Sequence, residues 1–303
     1  MSHKDPEQIY RLIRTIKTSS PNSHILLSHD STNCSLDVSS FGKNSGIDFL
    51  FTRGERGDFS LIYKYFSGIN YLFKNNIDFD WLITLSGQDY PTQPLSELEG
   101  LLSTTQYDGF IQFFKAFSPE SLWSLREGYQ RYLYQYKTLS FSAPNWMISI
   151  IKPIKIINYL QPFLRINFSY GLRIGAKVQS IFNNNFECYG GYFFSILSMK
   201  CLKYLNDFYQ NNPQIVEYYK SVILPEESLI QTILVNSKKF HLYNECKHYY
   251  DFSDTSHGHP AILTEKDYNA MIQKKYYFAR KFDINVDSKI LDILDQQFLV
   301  KAK

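Results

Sequence analysis

The sequence is poor in the features that mark most specialised classes of protein. It has four cysteines in 303 residues, Cys34, Cys188, Cys201 and Cys246, widely separated and with no C-x-x-C pair. That spacing excludes a zinc ribbon and a thioredoxin-like redox site, and the four read as free thiols of a reducing compartment. Long apolar runs are missing as well. The nearest, from Trp146 to Ile157, is interrupted by Lys152 and Pro153 and is no convincing transmembrane span. The opening Met1-Ser2-His3-Lys4-Asp5-Pro6 has no apolar core of a secretory signal. The net charge of +3 is too small to call for nucleic acid as a partner. There is no P-loop, no G-x-G-x-x-G turn and no G-x-S-x-G elbow. One absence is local: between Phe141 and Phe186 there is no Asp or Glu, while Lys152, Lys155, Arg165, Arg173 and Lys177 all occur. Apolar residues around those cations suit an anionic membrane surface, so peripheral membrane contact through 141–186 is one reading. The simpler reading is a core helix with snorkelling lysines.

What is present fits a folded α/β protein. Apolar residues make up 44%, enough for a core, and aromatics 17%, with 24 tyrosines. Such rings serve carbohydrate sites and plain cores alike. Asp5-Pro6-Glu7-Gln8 reads as a helix start in which Asp5 caps and Gln8 reaches back, followed by an apolar face of Ile9, Leu12, Ile13 and Ile16. Strands are expected at 24–28, 47–51, 81–85, 109–114 and 192–197. Helices are expected at 60–73, 94–102, 199–209, 225–235, 264–272 and 288–298. The alternation predicts βαβ units and a mostly parallel sheet, with helices and loops from Ser118 to Asn185 closing over one end. No repeat or clean linker divides the chain, so residues 1–303 are expected to form one domain.

Three places could carry chemistry. Ser86-Gly87-Gln88-Asp89-Tyr90-Pro91 follows the apolar run Trp81 to Leu85, at a sheet edge where open α/β sheets bind ligands; an ordinary turn with Asp89 as its cap fits equally well. Glu226 and Glu227 follow Pro225 in the first turn of an expected helix. There a carboxylate can serve as general base or merely complement the helix dipole. In Phe278-Ala279-Arg280-Lys281-Phe282 two cations sit between aromatics, able to neutralise a diphosphate or simply to be solvated. His257, His259, Asp251 and Asp254 are a weak, nonspecific metal pattern. The D-x-D triplet Asp78-Phe79-Asp80 precedes its strand, the wrong side for a metal–diphosphate ligand.

Taken in order, these pieces resemble the core-2/I-branching β-1,6-N-acetylglucosaminyltransferase and peptide O-xylosyltransferase family. His3-Lys4-Asp5-Pro6 with Arg11, Leu12 and Ile13 is similar to its "H-x-x-P…RLI" helix, and His29-Asp30 to its "H-x-D" strand end. Gly57 to Leu61 is similar to "W-G-G-x-S-L", and Ser86 to Pro91 to its most distinctive loop. Gly190-Gly191-Tyr192-Phe193 with Leu197-Ser198 resembles "G-S-x-W…LS". Pro225-Glu226-Glu227 with Gln231-Thr232 resembles "P-D-E…Q-T", and His259-Pro260 with Phe278 to Asp283 the closing "H-P…FARKF-D".

The resemblance implies a GT-A-like fold, with a mostly parallel central sheet flanked by helices. It implies an inverting transfer of N-acetylglucosamine or xylose from a UDP-sugar to a glycan, with no metal and no further cofactor required. On that reading Glu227 is the catalytic base, and Arg280 and Lys281 hold the diphosphate. Ser86, Gln88, Asp89, His29, Asp30 and Gly57 belong to the donor pocket, and Tyr192, Phe193 and Arg131 to the acceptor side. Departures from the pattern are an apparently missing first strand, Arg56 in place of a Trp, and Phe193 in place of Trp or Tyr. They motivate an alternative, a catalytically impaired protein of the same fold that binds a glycan or nucleotide. With no N-terminal anchor in view, the expected location is the cytoplasm, peripheral at the inner face of the membrane on a lipid-linked glycan.

Overall fold

A computed structural model describes residues 1–32, 34–39, 41, 46–139, 152–169, 171–253 and 259–301. Trp146 to Ile151, and Asp254 and His257 of the weak metal pattern, lie outside the described residues. The N-terminal half runs α1 (Pro6–Ser19), β1 (Ile25–His29), β2 (Ile47–Phe51), α2 (Phe59–Lys74), β3 (Trp81–Ile83), β4 (Asp89–Pro91), α3 (Leu95–Thr104), β5 (Gly109–Phe110) and β6 (Phe114–Lys115). The middle holds α4 (Leu125–Tyr132), β7 (Tyr134–Thr138), α5 (Ile157–Leu160), β8 (Leu164–Asn167), β9 (Arg173–Lys177), β10 (Tyr189–Gly190), β11 (Ile196–Ser198), α6 (Met199–Asn211) and α7 (Pro213–Lys220). The end holds α8 (Leu229–Ser237), β12 (Leu242–Tyr243), β13 (His248–Tyr250), α9 (Tyr268–Gln273), β14 (Phe278–Arg280) and α10 (Lys289–Lys301).

The expectation of one mostly parallel sheet is corrected. Small mixed sheets form instead: β1–β2, β12–β5–β11–β3, β13–β14–β4, β10–β6 and β7–β9–β8. β1 and β2, β12 and β5, and β13 and β14 pair in parallel, but β11 runs against both β3 and β5. The physical reason lies in β11 itself. Ile196 and Leu197 are both fully buried and face different clusters, Leu197 with α2 and α6, Ile196 with α3 and Phe278. A two-sided apolar run fixes depth in the protein and says nothing of strand direction. The segment from Ser118 to Asn185, expected as helices and loops, contains the three-stranded antiparallel sheet β7–β9–β8, with β9 in the middle.

β1 and β3 do not pair. A cleft of about 930 Å³ runs between them, walled by Ile9, Ile13, Leu27, Leu82 and Leu98 among others. Met1 and Ser2 span it at one end. The Met1 ammonium donates to Leu85 O at 2.7 Å, and Gly87 N–H donates to Met1 O at 2.9 Å. Ser2 N–H donates to Ser28 O, and Asp30 N–H to Ser2 O, both at 2.9 Å. The two half-sheets therefore stand one strand apart at this end.

Helix starts follow local chemistry, with one correction. Asp58 accepts from Ser60 N–H and caps α2, which buries Ile62, Tyr65, Phe66, Ile69 and Leu72. Asp5 makes no such cap. Its carboxylate pairs with Lys4 instead, and Gln8 does not reach back. Fully buried, Gln8 donates to Gly87 O and Phe282 O and accepts from Ile284 N–H. Buried backbone groups of two distant loops need partners, and a long amide supplies both donor and acceptor. α1 is thereby bolted to the 86–91 loop and to the strand end after β14.

Candidate functional site

The site is built on a short 3-10 turn, Pro225–Glu227, which precedes α8. The expected continuous helix from 225 is broken at Ser228, whose backbone leaves the helical region. The turn opens at Leu224 in the left-handed region, φ 55°. It aims the two carboxylates in different directions. Glu226 is 2% exposed; its Oε1 accepts from Gly57 N–H at 2.9 Å, while Oε2 has no partner among the described residues. Burial, then the neighbouring Glu227 charge, pushes the Glu226 carboxyl up to about 8, so it carries its proton at neutral pH.

Glu227 faces the other way and stays partly open to solvent. Its Oε2 accepts from Arg131 Nη1 at 2.8 Å and its Oε1 from Arg56 Nη2 at 3.1 Å. Arg131 comes from α4, where it also pairs with Glu127 and stacks its guanidinium 4.2 Å from the Trp123 ring centre. A carboxylate has about four lone-pair directions, so two charge-assisted contacts leave acceptor capacity for a substrate hydroxyl.

Gly57 is gripped from both sides. Its N–H goes to Glu226, and its carbonyl accepts from Arg173 Nη1 of β9. Its φ of 87° is one that glycine adopts without strain. Glycine is needed again at 191. A Cβ there would meet Gln112 O at 2.0 Å, and Gly191 N–H donates to Glu227 O at 2.9 Å. Gln231 fixes the next residue through its contact with Tyr192 O at 2.7 Å. The Gly190–Tyr192 stretch is thus laid directly against the Glu227 turn.

The 280–281 pair is linked to this cluster through Arg56 and the segment after His259. Arg56 contacts both Glu227 and His259 Nδ1. The segment after His259 runs beside Lys281: Lys281 N–H donates to Ala261 O, and Leu263 N–H to Lys281 O. Burial lowers the Lys281 pKa, and the charges of Lys4, Arg280 and Arg56 lower it further against Asp283. Arg280 stacks 4.1 Å above Phe194 and lies 3.4 Å from Asp89 Oδ1. Arg56 and Arg131 thus grip Glu227 directly, and the charge of Arg56 is also felt at Lys281.

Other expected site residues are engaged in holding the frame. Asp89 is fully buried and binds Ser86 through both N–H and hydroxyl, so it closes its own loop. Gln88 exchanges hydrogen bonds with Phe282. His29 is fully buried with both ring nitrogens engaged, by Ser2 Oγ and Cys34 O. Asp30 accepts from Thr32 and from Gly54 N–H; burial opposes its charge, but these bonds hold its carboxyl down at about 2. Phe193 is 7% exposed and edge-on against Tyr65 in the core, so its ring has no open face for a sugar. Tyr192, its neighbour, lies instead against Tyr250 and Phe252. Arg56, noted in the sequence only as a departure, and Arg173, noted only as a basic residue, were missed as site residues. Arg56 adjoins the Gly57 turn, a signal that could have marked it. Arg173 carried none.

Residues 51–272 match the family described as core-2/I-branching enzyme. A curated relative, the beta-glucuronosyltransferase GlcAT14B of Arabidopsis thaliana, is 28% identical over 120 residues, covering 39% of this chain and 27% of that protein. The matched stretch is about a quarter of the plant protein's length, whereas the family match takes in most of this chain. The chain belongs to the core-2/I-branching family.

Proposed function

We propose that the chain moves a sugar from a UDP-sugar to a glycan hydroxyl with inversion, in one displacement on a GT-A-like scaffold. Glu227 takes the acceptor proton as the hydroxyl attacks the anomeric carbon, and the bond from that carbon to the UDP oxygen breaks on the opposite face. Lys281 and Arg280 stabilise the negative charge that gathers on the departing diphosphate. Fixed cations at that place supply what a divalent ion would supply, so no metal is required.

One observation carries this reading. Glu227 keeps its carboxylate at the surface of the cluster, gripped by Arg131 and Arg56, and Arg56 leads through His259 to Lys281. That link supports a base and a diphosphate clamp carried on neighbouring segments. The donor sugar is N-acetylglucosamine or xylose, and the glucuronic acid named for the plant relative belongs in the same trial.

The test measures UDP release from UDP-N-acetylglucosamine, UDP-xylose and UDP-glucuronate over a panel of glycan acceptors, with and without chelator. Release from one donor, abolished in Glu227→Gln while calorimetric UDP binding persists, is the expected result. Unchanged turnover in Glu227→Gln removes it as base, and loss of activity with chelator removes the metal-free mechanism. A folded protein that binds UDP and releases none is the impaired binding protein instead.

A further inference from the structure

We propose that the face formed by the 3-10 turn Lys152–Ile156, α5 and the adjoining β8 docks on an anionic membrane surface. The proposal stands independently of the sugar-transfer reading. Not one residue of α5 is buried, which overturns the core-helix reading of this segment wherever it is described. Ile156, Tyr159, Leu160 and Phe163 are 63%, 72%, 75% and 69% exposed. Large apolar side chains so exposed, close together in sequence and on consecutive elements, are rare on a surface that meets only water.

Charge selects the occupant. No acidic residue occurs between Glu127 and Glu187, and Lys137, Lys155, Arg165 and Lys177 form no ion pair among the described residues. Lys155 and Arg165 lie against rings and carbonyls instead. Lys155 lies 5.7 Å from the Phe168 ring centre, Arg165 donates to Gln161 O at 2.7 Å, and Arg126 stacks 4.1 Å from the Tyr159 ring centre. Rings and aliphatic side chains that enter the headgroup boundary, flanked by the exposed lysines Lys137, Lys155 and Lys177, are what an anionic bilayer binds. A protein partner of ordinary mixed charge would leave this one-sign field unanswered. The face is also tied to the candidate site: α4 carries Arg126, which packs on Tyr159, and Arg131, which grips Glu227.

The test is sedimentation of the whole protein with vesicles of phosphatidylcholine alone and of phosphatidylcholine mixed with phosphatidylglycerol. Binding to the mixed vesicles, weakened by salt, is expected. Leu160→Ser with Phe163→Ser, and separately Lys155→Glu with Arg165→Glu, should each lower the partition coefficient by about tenfold or more while circular dichroism stays unchanged. Failure to sediment with mixed vesicles, or equal binding by the variants, overturns the proposal. So does a lipid-free dimer that Leu160→Ser with Phe163→Ser dissociates, since the face would then belong to a second copy of the chain.

Discussion

Arg131 Nη1 donates to Glu227 Oε2 at 2.8 Å, and the same guanidinium also holds Glu127 one helical turn away. Burial works against the charge on Arg131, but the two carboxylates keep its pKa above the ordinary arginine value, Glu227 foremost. One planar fork thus sets the direction of the proposed base. A lysine keeps the charge and loses the fork, so it cannot serve both carboxylates. Arg131→Lys is expected to lower turnover about tenfold or more, with UDP affinity unchanged, because a misdirected base slows the chemistry alone. Steady-state kinetics beside calorimetry checks this. A change confined to UDP affinity would place Arg131 on the donor instead.

Glu226 gives stability a pH dependence whose sign is fixed by its environment. Its carboxyl ordinarily titrates at 4.5 and in the folded protein at about 8. Between those values the folded state holds a proton that the unfolded chain has released, so unfolding free energy falls as pH rises through that window. Glu226→Gln keeps a neutral acceptor for Gly57 N–H and removes the titration. Thermal melts at about pH 5 and about pH 8 should therefore differ more in the wild type than in the variant. An equal shift in both would show that Glu226 is ionised throughout.

The sequence was legible where local chemistry decides the outcome. The strand at 47–51 and the helix expected at 60–73 were readable because side-chain period is a local property. The family was readable because its motifs keep their order. Asp5 misled because its carboxylate had a choice between its own helix and Lys4, and that choice is tertiary. Phe193 misled because alternation tells which residues share a face but not which face is the core. Arg56 and Arg173 reach the site from the loop before α2 and from β9, so only the packing of distant segments could show their roles.

Gly191 is held between two backbones. A Cβ at this position would come within 2.0 Å of Gln112 O, which is main chain and cannot swing aside. Its N–H also fixes the carbonyl of Glu227. Gly191→Ala should cost roughly 1–3 kcal/mol of stability, the usual range for overpacking, and should displace the base turn. Urea unfolding and turnover are both expected to suffer. A variant with wild-type stability and activity would show that the backbone at Gln112 moves aside freely.

Lys281 ties donor affinity to pH. Burial and the Lys4, Arg280 and Arg56 charges lower its pKa below the ordinary lysine value, so its cation is lost earlier on the alkaline side. An anionic diphosphate favours the charged form, and binding must therefore weaken as pH rises through that lowered pKa. Arginine at this position stays charged over the same range. Calorimetric titration with UDP should show an affinity that falls with rising pH in the wild type, is nearly level in Lys281→Arg, and is weak at every pH in Lys281→Ala. Parallel curves for the wild type and Lys281→Arg would mean that another group, and not Lys281, meets the diphosphate.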